Sequence, residues 1–357
     1  MGKVKFYLLT LLALLLVIGC SSSEKKASVK EEFDSQTIAN EGLKFFAEKR
    51  GIYIGTSITE GQLNDERFIE IVKKNCNYIT PENEFKWENI HPSRKVYNFK
   101  KTDKLVAFAK ENNMRIRGHT LIWHLQNPYW IAKPGTTPEE LKETMKVHIS
   151  NVMTYYKGQV VDWDVVNEAI ADNGELRESI WQLIIGDEYI EHAFRCANEA
   201  DPSAKLYIND YNIEDINPKS NKLYEVVKGL IAKKVPIHGV GFQFHLDGRW
   251  EPDYASIRAN FERFKKLGLD IQITELDVRI PKNYTEEDLR RQARIYGELM
   301  KIFLEVKGSA FIMWGLSDRY SWVPSYFSGF GNALIFDEQY NPKPAYNRLK
   351  EVLVKSK

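Results

Sequence analysis

The sequence predicts an α/β protein with a (β/α)8 TIM-barrel fold, formed by a single domain. Eight short apolar segments end in polar residues along the 357-residue chain, and longer stretches with helical spacing of apolar residues separate them. No linker or change in composition divides residues 33–357, so the eight β/α units are expected to form one domain. The predicted strands cover residues 51–59, 77–84, 115–123, 160–168, 205–212, 238–245, 269–278 and 309–318.

The segments between the strands carry helix signals. Residues 137–140 combine a capping threonine, a proline in the first turn and two acids, which predicts a helix from there to Tyr156. Residues 286–306 place apolar side chains at helical spacing. An open, doubly wound sheet is the alternative fold. It would normally carry a glycine-rich phosphate turn after the first strand, which residues 55–61 do not provide.

Composition excludes several classes of protein. Hydrophobic residues make up 43% and charged residues 28%, so most of the chain is not disordered. The formal net charge of +1 gives no electrostatic case for nucleic-acid binding. Aromatic residues make up 12% of the chain. This content is expected either for sugar binding, because flat side chains stack on pyranose rings, or for an aromatic-rich core.

The N-terminus has the features of an export signal. A positively charged start, an apolar run over residues 6–18 and the pair Gly19-Cys20 follow one another. The apolar run is too short to span a bilayer. This order resembles a bacterial lipoprotein signal, which implies a signal peptide over 1–19 and a lipidated Cys20 that begins a flexible tether over 20–32. An ordinary signal peptide is the alternative. Ser21, where Asp would favour inner-membrane retention, favours the outer membrane or the cell surface.

Polar residues crowd the carboxyl ends of the predicted strands. In a barrel the βα loops open at these ends, and the chemistry of barrel enzymes lies there. Burial of so many polar groups would be costly unless they were paired, so packing alone does not explain them. They include Glu82, Asn83, Lys86, His119, Trp123, Asn167, Glu168, Tyr211, Gln243, His245, Glu275, Trp314 and Trp322.

Glu168 and Glu275, at the ends of the fourth and seventh strands, are the candidate catalytic pair. Hydrolysis of an acetal needs an acid that protonates the leaving oxygen and a carboxylate that stabilises or traps the oxocarbenium-like carbon. Each glutamate could instead be a buried carboxylate paired with Arg or His. Asn167 favours the catalytic interpretation, because an amide beside Glu168 can donate to the sugar 2-hydroxyl.

Strand alternation predicts the support of Glu275. Gln243 and His245 share one side of their strand, and Glu275 and Asp277 share one side of theirs. We therefore expect His245 to hydrogen-bond Glu275 and Asp277 to orient the imidazole. These bonds would keep Glu275 ionised, as a nucleophile must be.

The other glutamate needs a different environment. Glu168 must be protonated near neutral pH if it is to act as an acid. Asp164 has the same parity as Glu168 and is expected to brace His119. A one-residue bulge would undo such arguments from parity.

The sequence gives little support for a metal site or for a disulfide. His119, His124 and His245 lack the spacing of a tight three-ligand cluster, so we expect no metal, and no other cofactor. Cys76 and Cys196 are expected to be buried free thiols, because two cysteines give no disulfide framework.

These residues together resemble glycoside hydrolase family 10, the retaining endo-β-1,4-xylanases. The similarity covers residues 40–350, and one motif falls near each strand end. The resemblance implies that Glu168 is the acid/base and Glu275 the nucleophile. The motifs are TPENEFKW, RGHTLIWH, WDVVNEA, GFQFH, ITELDV and WGLSDRYSW.

The resemblance also implies contacts with the sugar chain on the glycone side of the cut. Glu82, Asn83 and Lys86 match residues that hold the sugar two places from the cut. Trp314 and Trp322 match tryptophans that roof the glycone sites and favour xylose by crowding a hydroxymethyl group.

Contacts nearer the cut are implied in the same way. His119, Trp123 and Asn167 match residues around the sugar at the cut, whereas Gln243 and His245 match a pair that contacts substrate and nucleophile.

Tyr211 matches an aglycone-side aromatic residue. Phe85, in place of the usual Met, and Phe244, in place of a small residue, depart from the family pattern.

The expected activity is endo-hydrolysis of xylan and xylo-oligosaccharides by a monomer that needs no cofactor, binds no nucleic acid and is held at a bacterial membrane through Cys20. A barrel hydrolase acting on cellulose or mannan is one alternative, and it would lack the HTLIWH and WGLSDRYSW motifs. A surface lipoprotein that binds polysaccharide with an inactive barrel is the other, and it would need neither Glu168 nor Glu275.

Overall fold

The computed structural model describes Gly2 and residues 33–356. Apart from Gly2, the predicted signal peptide (1–19) and the predicted lipidated Cys20 with its tether (20–32) lie outside the described residues. Within the described part of the chain, no helix is both long and apolar enough to cross a membrane.

Eight parallel strands close into a barrel, which confirms the predicted fold. Each strand pairs with the next along the chain, and the last pairs with the first through Tyr53 and Ala310. The two short strands His245–Asp247 and Phe330–Gly331 both pair with the seventh barrel strand. The barrel strands are β1 Tyr53–Ile58, β2 Tyr78–Pro81, β3 Arg115–Gly118, β4 Asp162–Asn167, β5 Lys205–Asp210, β6 Gly239–Phe242, β7 Asp270–Pro281 and β8 Ala310–Met313.

Helices connect the strands on the outside of the barrel, and several begin at clear capping signals. Thr137 and Glu140 form a capping box at the start of helix α6 (Pro138–Tyr155), which begins where the sequence predicts a helix start. Thr285 and Asp288 form a second capping box at the start of helix α11 (Glu286–Glu305). Two 3-10 turns cover Glu60–Asn64 and Asp318–Tyr320. The α-helices are α1 Ser35–Asn40, α2 Leu43–Lys49, α3 Glu66–Asn75, α4 Trp87–Ile90, α5 Lys100–Glu111, α6 Pro138–Tyr155, α7 Ile180–Ile185, α8 Tyr189–Ala200, α9 Pro218–Ala232, α10 Tyr254–Lys266, α11 Glu286–Glu305, α12 Val323–Tyr326 and α13 Pro344–Lys355.

Most barrel strands end earlier than the sequence predicts. β3 stops at Gly118 and β6 at Phe242, so the polar residues that follow lie in the βα loops. Phe244 and Glu168 adopt positive φ angles of 60° and 56°, which break the extended conformation. The register of β4 also shifts between Asp164 and the residues after it. The strands are therefore less regular than strict alternation of side chains assumes.

A buried ionic layer fills the barrel beneath the carboxyl ends of the strands. Arg117 is fully buried, and its Nε donates to Asp164 Oδ2 over 2.8 Å. His119 Nδ1 lies 2.9 Å from the same oxygen, so Asp164 does brace His119. Because Arg117 and Asp164 pair so closely, neither charge is left uncompensated in the core.

The two cysteines outside the N-terminal segment are buried free thiols, as predicted. Burial raises the pKa of Cys76 to about 12 and that of Cys196 to about 11, so both are unreactive near neutral pH.

Candidate active site

An open cleft of about 680 Å³ lies at the carboxyl end of the barrel. The cleft brings together most of the predicted site residues: Glu82, Lys86, His119, Trp123, Asn167, Glu168, Tyr211, Gln243, His245, Glu275, Trp314 and Trp322. Residues that the sequence analysis did not assign to the site also line it: His124, Leu125, Asp172, Arg177, Asn212, Arg279, Tyr326 and Phe327. Asp164 and Asp277 lie outside the lining, and they contact His119 and His245, respectively.

Glu275 is buried and is held by two donors. Its Oε1 accepts from Asn209 Nδ2 over 2.7 Å, and its Oε2 lies 3.1 Å from His245 Nε2, so the hydrogen bond expected from the strand positions is present. Burial alone would raise the pKa of Glu275. The hydrogen bond from His245 and the nearby His119 outweigh burial and hold this pKa below its usual value. Glu275 is therefore anionic at neutral pH.

His245 supplies the positive charge beside Glu275. Its Nδ1 lies 2.9 Å from Asp277 Oδ2, so both ring nitrogens face carboxylates and both must carry protons. Burial opposes this charge, but Asp277 and Glu275 outweigh burial and raise the pKa of His245 to about 10. Asp277 Oδ2 also accepts from Trp322 Nε1 over 2.7 Å, which fixes that indole beside the imidazolium.

The carboxylate of Glu168 is hydrogen-bonded by amides rather than by cations. Its Oε1 accepts from Asn167 Nδ2 and from Gln243 Nε2, each over 3.2 Å. His124 Nδ1 lies 3.6 Å from the other oxygen, and burial lowers the pKa of His124 to about 4, so this neighbour is neutral at pH 7. The two glutamates therefore sit in contrasting surroundings, one paired with a cation and the other with neutral groups.

Two amides, those of Asn209 and Asn167, link Glu275 to Glu168. Asn209 Nδ2 donates both to Asn167 Oδ1, over 2.8 Å, and to Glu275 Oε1. Thr274 Oγ1 donates to Asn209 Oδ1 over 2.7 Å and so fixes the orientation of the amide. Asn209 is not among the site residues predicted from the sequence. Its place near the polar end of the fifth predicted strand, residues 205–212, is the signal that could have identified it.

The other end of the cleft carries Lys86 and Glu82. Lys86 Nζ donates to Asn83 Oδ1 over 3.0 Å and lies 5.0 Å from the centre of the Trp123 ring. Burial lowers the pKa of Lys86 and raises that of Glu82. Asn83 itself lines a smaller neighbouring pocket of about 100 Å³ rather than the main cleft. Asn83 is therefore connected to the cleft by its hydrogen bond with Lys86, which does line the cleft.

Tyr211 lies on the rim beside Glu168. Arg177 joins the two, because its Nε donates to the Glu168 carbonyl over 2.8 Å and its Nη2 to the Tyr211 hydroxyl over 3.0 Å. Arg177 is not among the predicted site residues, because it lies in the loop after β4 and belongs to no motif.

Among residues 33–356, no group of three or more His, Cys, Asp or Glu side chains is arranged to hold a metal ion.

A parallel barrel with two glutamates in one tryptophan-lined cleft has the features of a glycoside hydrolase. Residues 42–352 match glycosyl hydrolase family 10, and the chain belongs to that family.

Several proteins are similar to this chain over nearly its whole length. Endo-1,4-beta-xylanase B of Thermotoga neapolitana is 46% identical over 345 residues, which cover 95% of this chain and 96% of that protein. A beta-1,4-xylanase of Dictyoglomus thermophilum is 41% identical, with coverage of 82% and 86%. The crystal structure of xylanase 10B from Thermotoga petrophila RKU-1 in complex with xylobiose superposes with a TM-score of 0.87 at 50% identity, covering 88% of this chain and 98% of that chain.

Proposed function

We propose that the protein is an endo-β-1,4-xylanase that cleaves internal linkages of xylan with net retention of anomeric configuration. Family membership and the xylanase relatives support this substrate. One observation carries the mechanism: Glu275 is held as an anion by His245 and Asn209, while Glu168, in the same cleft, has neutral partners. This asymmetry suits one carboxylate to nucleophilic attack and the other to proton transfer.

The reaction proceeds in two displacements. In the first, Glu275 attacks the anomeric carbon while Glu168 gives its proton to the departing glycosidic oxygen, and a covalent glycosyl ester forms on Glu275. In the second, Glu168 removes a proton from a water molecule that attacks the same carbon. The bond to Glu275 then breaks, and both carboxyl groups return to their starting states.

Aromatic and polar side chains of the cleft suit a chain of pyranose rings. Trp314 and Trp322 offer apolar faces for stacking, and Glu82 and Lys86 offer partners for hydroxyl groups at the glycone end. Tyr211 is the corresponding aromatic residue on the side of Glu168, where the departing chain leaves.

The activity is tested by incubating residues 33–357 with xylan, mannan and cellulose and measuring the reducing ends released. We expect release from xylan with an early fall in viscosity, because internal cleavage shortens the polymer quickly. NMR of the first products should show the β-anomer. Activity on mannan or cellulose without activity on xylan would contradict the substrate, and an initial α-anomer would contradict retention.

We also propose that Cys20 anchors the protein to a bacterial membrane through a lipid. The order of charged start, apolar run, Gly19 and Cys20 supports this proposal. In a bacterial host that processes lipoproteins, the full chain should incorporate labelled palmitate and sediment with membranes. Cys20→Ser should lose the label and move to the soluble fraction. Equal sedimentation and labelling of both forms would contradict anchoring through Cys20.

A further inference from the structure

Lys219 is a buried cation beside the cleft that the proposed mechanism does not use. It is the second residue of α9, and its side chain is only 3% exposed. Burial of an ammonium group is costly, and the N-terminus of a helix is unfavourable for a positive charge. The position therefore requires strong compensating contacts.

Three groups surround the ammonium. Lys219 Nζ lies 3.1 Å from Asp210 Oδ1 and 3.2 Å from Asp172 Oδ1. It also lies 3.2 Å from the centre of the Tyr211 ring, well inside the usual range for a cation over an aromatic face. Since Tyr211 lines the cleft and Lys219 does not, the ammonium lies behind the ring.

Asp210 ties the ammonium to the barrel. It is the last residue of β5, it is fully buried, and it accepts from the backbone nitrogens of Ile170, over 3.1 Å, and Tyr211, over 2.9 Å. Burial raises the pKa of Asp210 to about 7, and Lys219 opposes this rise. Without Lys219, Asp210 would lose its cationic partner. We therefore expect the backbone at Ile170 and at Tyr211, which donates to Asp210, to be held less firmly.

The edge of the Tyr211 ring is fixed as well. Its hydroxyl accepts from Arg177 and donates to Asp172 Oδ2 over 3.1 Å. Asp172 is itself an exposed residue, and Lys219 contacts its other oxygen. Lys219 contacts one face of the Tyr211 ring, and Arg177 and Asp172 hold its hydroxyl. The other face of the ring is therefore fixed toward the cleft as a flat platform.

We propose that Lys219 is a positioning residue that holds Tyr211 as the platform for a xylose unit of the departing chain. The inference rests on the proposed function. Arg177 connects Tyr211 to Glu168, and the group that Glu168 protonates is the leaving group. Lys219 therefore acts only on substrates that carry sugar beyond the cut.

Two substrates separate this role from a general effect on the fold. Xylohexaose reaches the platform, whereas an aryl β-xylobioside fills the glycone sites and has no sugar in its leaving group. We expect Lys219→Met to raise KM for xylohexaose about tenfold, because binding of the sugar must then order the ring that Lys219 otherwise holds in place. For the aryl substrate we expect kcat/KM to stay within about twofold. In a Tyr211→Ala background, Lys219→Met should change KM no further.

Lys222→Met is the matched control. Lys222 lies one turn further along α9, is partly exposed and forms a salt bridge with the exposed Glu175, at 3.8 Å. Lys222→Met should change neither KM for xylohexaose nor kcat/KM for the aryl substrate. Because Lys219→Met leaves Asp210 without its partner, the double variant with Asp210→Asn is measured beside it, and thermal unfolding monitors the fold of both.

The outcomes are distinct. Equal losses on both substrates, no change on either, or unfolding of both Lys219 variants would assign Lys219 a structural role only and overturn the inference. A wild-type protein that is inactive on xylohexaose and on the aryl xylobioside would refute the proposed function, and this inference with it.

Discussion

Glu275→Ala should abolish hydrolysis of xylan, with kcat lowered by about 10⁵-fold or more. Without this carboxylate the anomeric carbon has no nucleophile at the position that His245 and Asn209 prepare, and no covalent intermediate forms. The fold should persist, because His245 keeps its contact with Asp277 and Asn209 keeps its contacts with Asn167 and Thr274. Reducing-end assays give the rate, and thermal unfolding with circular dichroism reports the fold.

Glu275→Gln separates the charge of this residue from its shape. The glutamine has nearly the same volume and can still accept through its carbonyl oxygen, but its amide is a very poor nucleophile. It should be as inactive as the alanine variant while leaving less empty space. If either variant kept a rate within tenfold of the wild type, Glu275 would not be the nucleophile.

The fold could be predicted because each barrel strand carries its own signal. A short apolar run that ends in charged or amide residues marks a strand whose carboxyl end faces a cleft, and residues such as Asn167 and Gln243 mark those ends. Helix starts were equally local, as the capping box at Thr137 illustrates. Strands and helix starts can therefore be predicted from short segments, without reference to distant parts of the chain.

The details of the backbone could not be predicted in the same way. Glu168 and Phe244 have positive φ angles, which cost free energy in non-glycine residues and persist only where the surrounding structure enforces them. Gln243 and His245 both face the cleft, although β6 ends before them and Phe244 packs into the core. Strict alternation along a strand predicts that Gln243 and His245 face the same side, and they do. In the structure, however, their orientation comes from a loop with a positive φ angle at Phe244 and not from an extended strand.

Residues that contact the site from loops or helix starts, outside any motif, could not be predicted from the sequence. Arg177 reaches Glu168 and Tyr211 from a loop without a motif, and Lys219 reaches Asp210 and Tyr211 from the start of a helix. Lys219 is nine residues from Asp210 in sequence, and nothing in either segment indicates that the two side chains meet. Only the tertiary fold brings these groups together.

Glu168→Ala should separate the two chemical steps. Hydrolysis of xylan should fall by about 10³-fold or more, because a sugar alkoxide is a poor leaving group without a proton from Glu168. An aryl β-xylobioside with an acidic phenol needs no such proton, so its first displacement should stay fast. The second displacement lacks its general base, and the covalent ester should accumulate on Glu275. Stopped-flow absorbance should show a burst of phenol that matches the enzyme concentration.

Mass spectrometry identifies the residue that carries the ester. After the burst, a peptide containing Glu275 should gain the mass of one xylobiosyl group, and the Glu168→Ala/Glu275→Ala double variant should gain none. Glu168 and Glu275 bond to different donors and share only the amide link through Asn167 and Asn209, so loss of Glu168 leaves the bonds from His245 and Asn209 to Glu275 in place. An ester on another residue, or equal losses on xylan and on the aryl substrate without a burst, would contradict the assignment of Glu168 as the acid/base.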